Sequence, residues 1–362
     1  MEMRGERPVA ERQFGLDWLR IGAFGLLIFY HIGMFFVPWD WHVKTAQPIE
    51  WVQWPMMAIS PWRLSLLFVI SGIVSRTLMT KLAQPKEFAK SRSWRLLVPL
   101  TAGMVIFVVP QSWAELRDRG VYSEGLVTFW LNDYAEFGAS RGTPLPTWNH
   151  LWFVAYLWVY SMILASAGLL PSRTREAIQR TFDRLFSGWA LFILPVGWLF
   201  LARAALLPAF GETHALVDDP YAHAVYGFSF FFGVGLARSA AAVSAIARNW
   251  KLCVIAAVFG CVAAFYTYLV GAEAAPVVIA RAATRSMLAW GAILGLLGMA
   301  QAHLNRDGPA RRYLTEAIFP YYIAHQTIIV VAGFGLKRMS VGPILEFIGI
   351  FVATTLGVCA DL

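Results

Sequence analysis

The sequence predicts an all-α fold: a polytopic membrane helical bundle of about ten transmembrane helices with both termini cytoplasmic. Composition, apolar runs and loop charge predict it. Of 362 residues, 58% are hydrophobic, 15% aromatic and only 14% charged, against about 25% charged in a typical soluble protein. So few charges cannot clothe a water-soluble surface of this size, and the same figures exclude a disordered chain or a fibre. The apolar residues gather near 15–37, 55–79, 94–112, 149–170, 188–207, 223–242, 252–270, 276–303, 314–334 and 343–360. Runs of about 20 apolar residues span a bilayer as helices, because a helix satisfies its backbone polar groups within the segment.

Loop charge orients the bundle. With the N-terminus inside, 18 basic loop residues lie on the cytoplasmic side, among them Arg4, Arg7 and Arg12 of the polar segment 1–13. The opposite side holds six: Lys44, Arg117, Arg119, Arg141, Lys337 and Arg338. That bias is the positive-inside pattern. The net charge of +8 is scattered in clusters between apolar runs, which argues against nucleic acid as a partner and for the lipid bilayer. The first run is too long for a signal-peptide core and lacks a small-residue cleavage site, so it reads as a retained span. The largest extracytoplasmic loop is expected over 111–148. Trp39, Trp41, Trp51, Trp54 and Trp62 crowd the outer ends of the first two spans as an interfacial belt. Cys253, Cys261 and Cys359 lie in apolar runs without metal or disulfide spacing, and no metal-ligand set is visible. No internal repeat divides the chain, so 1–362 reads as one integral-membrane domain.

Ionisable residues inside spans carry the functional information, since each costs at least ~2.5–3.5 kcal/mol near the bilayer centre. Arg20 and His31 are eleven residues apart in the first span, three helical turns and about 16 Å along one stripe. Asp17 stands one turn before Arg20, placed to pair with it. The competing reading has Arg20 snorkelling and His31 as a satisfied core histidine. Arg63 and Arg76 sit toward opposite ends of the second span, where snorkelling also explains an arginine. Ser71-Gly72 reads as a close-packing site, and Lys90, Arg92 and Arg95 as a cluster that topology alone would require. His150 lies at the outer mouth of span four, whereas His325 and Gln326 fall near mid-membrane in span nine and need partners there. Arg281 and Arg285 either bind an anionic substrate group or pair with an acid such as Glu316. Arg203, near the outer end of span five, reads as an interfacial anchor.

Asp17-x-x-Arg20 followed by His31 resembles the Arg-x10-His signature of the membrane acyltransferase 3 family. Trp41-His42-Val43-Lys44, Arg63-Leu-Ser-Leu-Leu-Phe68-Val-Ile-Ser71-Gly72 and Arg92-x-x-Arg95-Leu-Leu-Val-Pro99 resemble further stretches of it. So do His150-Leu-Trp152-Phe153 and Pro320-Tyr-Tyr322-Ile-Ala-His325-Gln326. The likeness runs from about 14 to 335, with no matching motif between 171 and 275. It implies an O-acyltransferase in a bacterial-type inner membrane, moving succinyl or acetyl from cytoplasmic acyl-CoA (succinyl-CoA or acetyl-CoA) to an extracytoplasmic glucan or other glycan. Under that implication His31, Arg20 and Asp17 are catalytic. Lys90, Arg92, Arg95 and Arg76 hold the donor's phosphates. His42, Arg63, His150, Trp152, Arg285, Tyr322, His325 and Gln326 serve the acceptor or support the site. No permanently bound cofactor is expected. The alternative is a transporter or flippase using the buried Asp, Arg and His residues as a proton or substrate path, although the inverted repeats common in such proteins are missing here.

Overall fold

The computed structural model describes residues 14–136, 138–140, 142–271 and 274–359. The segment 1–13 with its three arginines, and Arg141, lie outside the described residues. The longer helices, in chain order, are α1 (Phe14–Phe36), α2 (Glu50–Leu82), α3 (Pro85–Asp118) and α4 (Asn149–Ala167), then α5 (Ser172–Leu185), α6 (Ala190–Phe210), α7 (220–236) and α8 (Ala240–Val270). Last come α9 (Ala275–His303), α10 (Pro309–Arg338) and α11 (Pro343–Cys359). Eight of these, all but α5, α7 and α11, are long and apolar enough to cross a membrane. They coincide with eight of the ten expected spans. The remaining two correspond to α7 and α11. At 17 residues α11 is about 25 Å long, short of the ~30 Å hydrocarbon core.

One boundary differs from expectation. α3 continues through Asp118, so the large connection begins later than residue 111; it holds a small antiparallel hairpin pairing Gly138–Ser140 with Thr143–Leu145. α5 is strongly amphipathic and rich in arginine, with no buried residue, as befits a helix lying outside the bundle.

Small residues set how closely the helices approach. A Cβ on Gly72 would stand 2.0 Å from the Phe230 carbonyl oxygen, and one on Gly233 would stand 2.1 Å from that of Val69. α2 and α7 therefore touch backbone to backbone, as the packing reading of Ser71-Gly72 expects. Around that contact Phe68, Tyr156, Phe230, Trp290 and Tyr322 are almost completely buried. α8 instead turns Ile255, Val258, Phe259 and Val262 outward, an apolar stripe at helical spacing that suits lipid.

The connections collect at two ends. At one, His42 meets Glu115, Thr45 meets Glu346 and Lys337 meets Asp118; this is the histidine end. At the other, the arginine end, Trp18 donates to the Arg306 carbonyl, Arg311 meets Asp17 and Gln179 donates to the Gly235 carbonyl.

Candidate active site

Three helices bring three histidines together below the histidine end. His31 Nδ1 of α1 lies 2.7 Å from His325 Nε2 of α10, with the two rings near-parallel at 5.0 Å. His150, opening α4, stands edge-on to both, 5.1 Å from His325 and 6.4 Å from His31 between centroids. The backbone fixes the tautomers. His325 Nδ1 lies 2.7 Å from the Tyr322 carbonyl oxygen, which can only accept, so Nδ1 carries the proton and Nε2 receives one from His31. His31 is then protonated on Nδ1 and keeps a lone pair on Nε2, while its ring lines the adjoining cavity. His150 Nε2 donates to the carbonyls of Tyr322 and Ile323, both at 3.1 Å. His150 is 6% exposed: far from standing at a cheap polar mouth, it is built into the core.

Gln326 and His42 belong to a neighbouring network. His42 Nδ1 donates to Glu115 Oε2, and its Nε2 accepts from Gln326 at 3.1 Å. Gln326 donates also to Gln111, which accepts from Asn149 and donates to Thr327. Thr327 in turn donates to the Phe107 carbonyl within a π-helical turn, Met104–Val108. Such turns displace side chains and free carbonyls, and are common at functional sites.

A cavity of about 260 Å³ opens beside the histidines, bounded by His31, Arg63, His150, Trp152, Arg285 and Tyr322. The middle of the chain completes it with Arg203, Glu212, His214, Tyr221 and Tyr226. Arg203 is 7% exposed and donates to the Tyr221 hydroxyl at 3.0 Å and the Pro61 carbonyl at 3.3 Å; it is a cavity residue, not an interfacial anchor. Arg285 donates to the Tyr268 hydroxyl and lines the cavity, while Glu316 is exposed. Trp41 likewise leaves the interfacial belt, lining the cavity and stacking against His31. The rim is pinned by the fully buried Asp219. Its carboxylate accepts from the backbone N–H groups of Thr213, His214 and Ala222 at 2.7–2.8 Å. Glu212 shows about a third of its side chain. Burial pushes its carboxyl upward, but hydrogen bonds from His214 and Tyr226 and the Arg203 charge outweigh that and hold it at about 2.

A second cavity, about 250 Å³, lies toward the arginine end and brings together Arg20, Ser71, Arg92 and Arg95 against Phe24, Ile70, Ile318 and Phe319. Arg92 Nε donates to Ser161 at 3.2 Å and Arg20 Nη2 to the Thr315 carbonyl at 3.1 Å. Asp17 does not pair with Arg20: its carboxylate takes Arg311, which is 1% exposed and also binds Asp307. Arg312 also donates to Asp307, and the hydrogen bonds from Arg312 and then Arg311 hold the Asp307 carboxyl well below the usual carboxylate range. Lys90 is exposed and does not line the cavity. Arg76 lines a different one with Arg175 and Gln179.

Phe153 lines both the histidine-side and the arginine-side cavity. Its ring is 6.4 Å from Phe24 and 6.0 Å from Tyr322, which are 5.4 Å from each other. Three aromatic rings thus form the partition between an arginine-lined space and a histidine-lined one. Sequence reasoning missed Glu212, His214, Tyr221 and Tyr226. A polar interruption, Glu212-x-His214, followed by Asp219-Pro220-Tyr221 was the available signal. Arg203 and Tyr226 sit on further π-helical turns, Ala202–Leu206 and His223–Gly227, which sequence periodicity does not display. Among the described residues no group of three His, Cys, Asp or Glu is placed to hold a metal ion.

Comparison with known proteins gives a consistent picture. The model of an acyltransferase domain, Acyl_transf_3, matches residues 13–360. Relatives named glucans biosynthesis protein C, from Escherichia coli O1:K1 / APEC and from E. coli O139:H28 (strain E24377A / ETEC), are 28% identical over 156 residues, 42% of this chain. The chain spans 38% of the length of those relatives. No solved structure matches it.

Proposed function

We propose, from the premise that the chain belongs to the acyltransferase 3 family, that it moves an acyl group from cytoplasmic acyl-CoA to a hydroxyl of an extracytoplasmic glycan. The observation that carries this reading is the pair of cavities meeting at one aromatic partition. Arginines line the side suited to phosphates, and a histidine with a free ring nitrogen lines the other. Loop charge favours the arginine end as cytoplasmic, which makes a bacterial-type inner membrane the natural site. The name of the relatives supports a glucan as acceptor, and succinyl or acetyl as cargo follows from the family likeness.

The chemistry follows from the tautomers. His31 Nε2 takes the proton of the acceptor hydroxyl as its oxygen attacks the thioester carbonyl. The tetrahedral intermediate collapses with cleavage of the carbon–sulfur bond, and the departing thiolate receives that proton from His31. An ester and a free thiol result. His325 is a positioning residue: by accepting from His31 Nδ1 it keeps the lone pair on Nε2 and steadies the imidazolium formed midway. Arg20, Arg92 and Arg95 form charge-assisted hydrogen bonds to the donor's phosphates, and Arg311 removes Asp17 from competition with them. The test is to incubate membranes containing the chain with isotope-labelled succinyl-CoA or acetyl-CoA and neutral glucan oligosaccharides, then read the products by mass spectrometry. Labelled ester that depends on the chain is the expected result; its absence with both donors overturns the proposal.

A further inference from the structure

The cavity beside the histidines, the outer one in the proposed orientation, holds more positive charge than its own residues neutralise. Arg63, Arg203 and Arg285 line it with one carboxylate, Glu212, and that carboxylate is engaged by Tyr226 and His214. Arg203 and Arg285 donate only to neutral oxygens. Arg63 is 6% exposed, with its guanidinium 3.3 Å above the Tyr30 ring. Its Nε and Nη1 are buried without hydrogen-bond partners, as is Nε of Arg203. None of the three arginines forms an ion pair among the described residues. A buried charge without a counter-ion is costly, and cation–π contact with one ring leaves the in-plane donors of Arg63 unused.

We propose that Arg63, with Arg203 and Arg285, forms a subsite for an anionic group, carboxylate or phosphate, carried by a substrate in the outer cavity. The group belongs to the distal end of a dicarboxylic acyl chain or to the acceptor. This inference rests on the acyl-transfer reading for what the ligand is, but not for anion binding itself. A planar guanidinium with open N–H donors pairs two-fold with either anion, and the partition places this pairing on the side where the acceptor arrives.

The binding test uses the purified full chain in detergent. Succinate and inorganic phosphate are titrated against thermal unfolding, with neutral succinamide as control. An anion-selective rise in the unfolding midpoint is expected, with apparent affinity at least ~10-fold weaker in Arg63→Gln and intermediate in Arg63→Lys, the loss typical of one charge-assisted hydrogen-bond pair. No anion effect in the wild type, or an equal effect in Arg63→Gln, overturns the subsite. Should Arg63→Gln fail to fold, Arg63→Lys and Arg203→Gln decide by the same criterion. Transfer assays locate the anion. A loss at least ~10-fold greater for succinyl than for acetyl assigns it to the acyl chain; a loss greater for anionic than for neutral acceptors assigns it to the acceptor. Equal losses with every pair place Arg63 at the reacting atoms and overturn the proposal. Anion binding in a wild-type chain that transfers nothing would instead sink the acyltransferase reading while the subsite stands.

Discussion

The two cavities on either side of Phe153 are similar in size but different in kind. The outer one is walled by histidines whose ring protons are fixed by backbone carbonyls and by one another. The inner one is walled by arginines against aliphatic and aromatic surface, with few of their donors committed. A site that moves protons needs its tautomers fixed in advance, whereas a site that holds phosphates needs unspent charge. The difference teaches that rigidity and reserve are placed where each half of the proposed reaction requires them, on opposite sides of one layer of rings.

The largest expected effect breaks the outer side alone. His31→Gln retains a hydrogen-bonding side chain, and acyl transfer should fall at least ~10²-fold, as for loss of a general base, with donor affinity little changed. Transfer near the wild-type rate would move the base role to another residue. On the inner side, Arg92→Gln with Arg95→Gln should raise KM for acyl-CoA by ~10-fold or more while kcat changes less, because the lost contacts hold phosphates remote from the reacting carbonyl. Steady-state kinetics in proteoliposomes distinguish the two patterns, and equal effects on kcat would collapse the division between the cavities.

Thinning the partition gives an intermediate effect. Phe153→Ala should raise acyl-CoA hydrolysis relative to transfer by several-fold, since water reaches the thioester once one of three rings is gone; an unchanged ratio of free acid to ester would argue against the partition. The smallest effect is on stability. The Glu212 carboxyl stands at about 2 against an ordinary value of 4.5. A depressed folded-state value means its stabilisation is complete above the ordinary value and is lost as pH falls toward 2. Glu212→Gln should therefore show a shallower decline of the unfolding midpoint between about pH 5 and 3 than the wild type, and parallel declines would contradict this assignment.

Much of this architecture was legible in the residues. Apolar run length located the spanning helices, and the three-turn interval between Arg20 and His31 anticipated one helix serving both cavities. His325 and Gln326 announced themselves as polar residues where lipid offers no partner. What escaped was tertiary. Asp17 is equally well spaced for Arg20, but only the fold brings Arg311, almost three hundred positions away, to its carboxylate. Arg203 at the end of an apolar run looks like an anchor until a π-helical turn points it inward. Pairing across long sequence intervals leaves no periodic trace, and neither does a bulge.

The ring layer of Phe24, Phe153 and Tyr322 has an electrical consequence. Where water fills a recess on each side of such a layer, the transmembrane potential falls mainly across the layer rather than across the whole bilayer. Carrying one elementary charge through it is worth about 2.3 kcal/mol per 100 mV. In a cell that is negative inside, an acyl group bearing a free carboxylate is drawn outward through the partition, and an uncharged one is not. On the proposed acyl-transfer reading, these three rings would thus couple the choice of cargo to the energised state of the membrane.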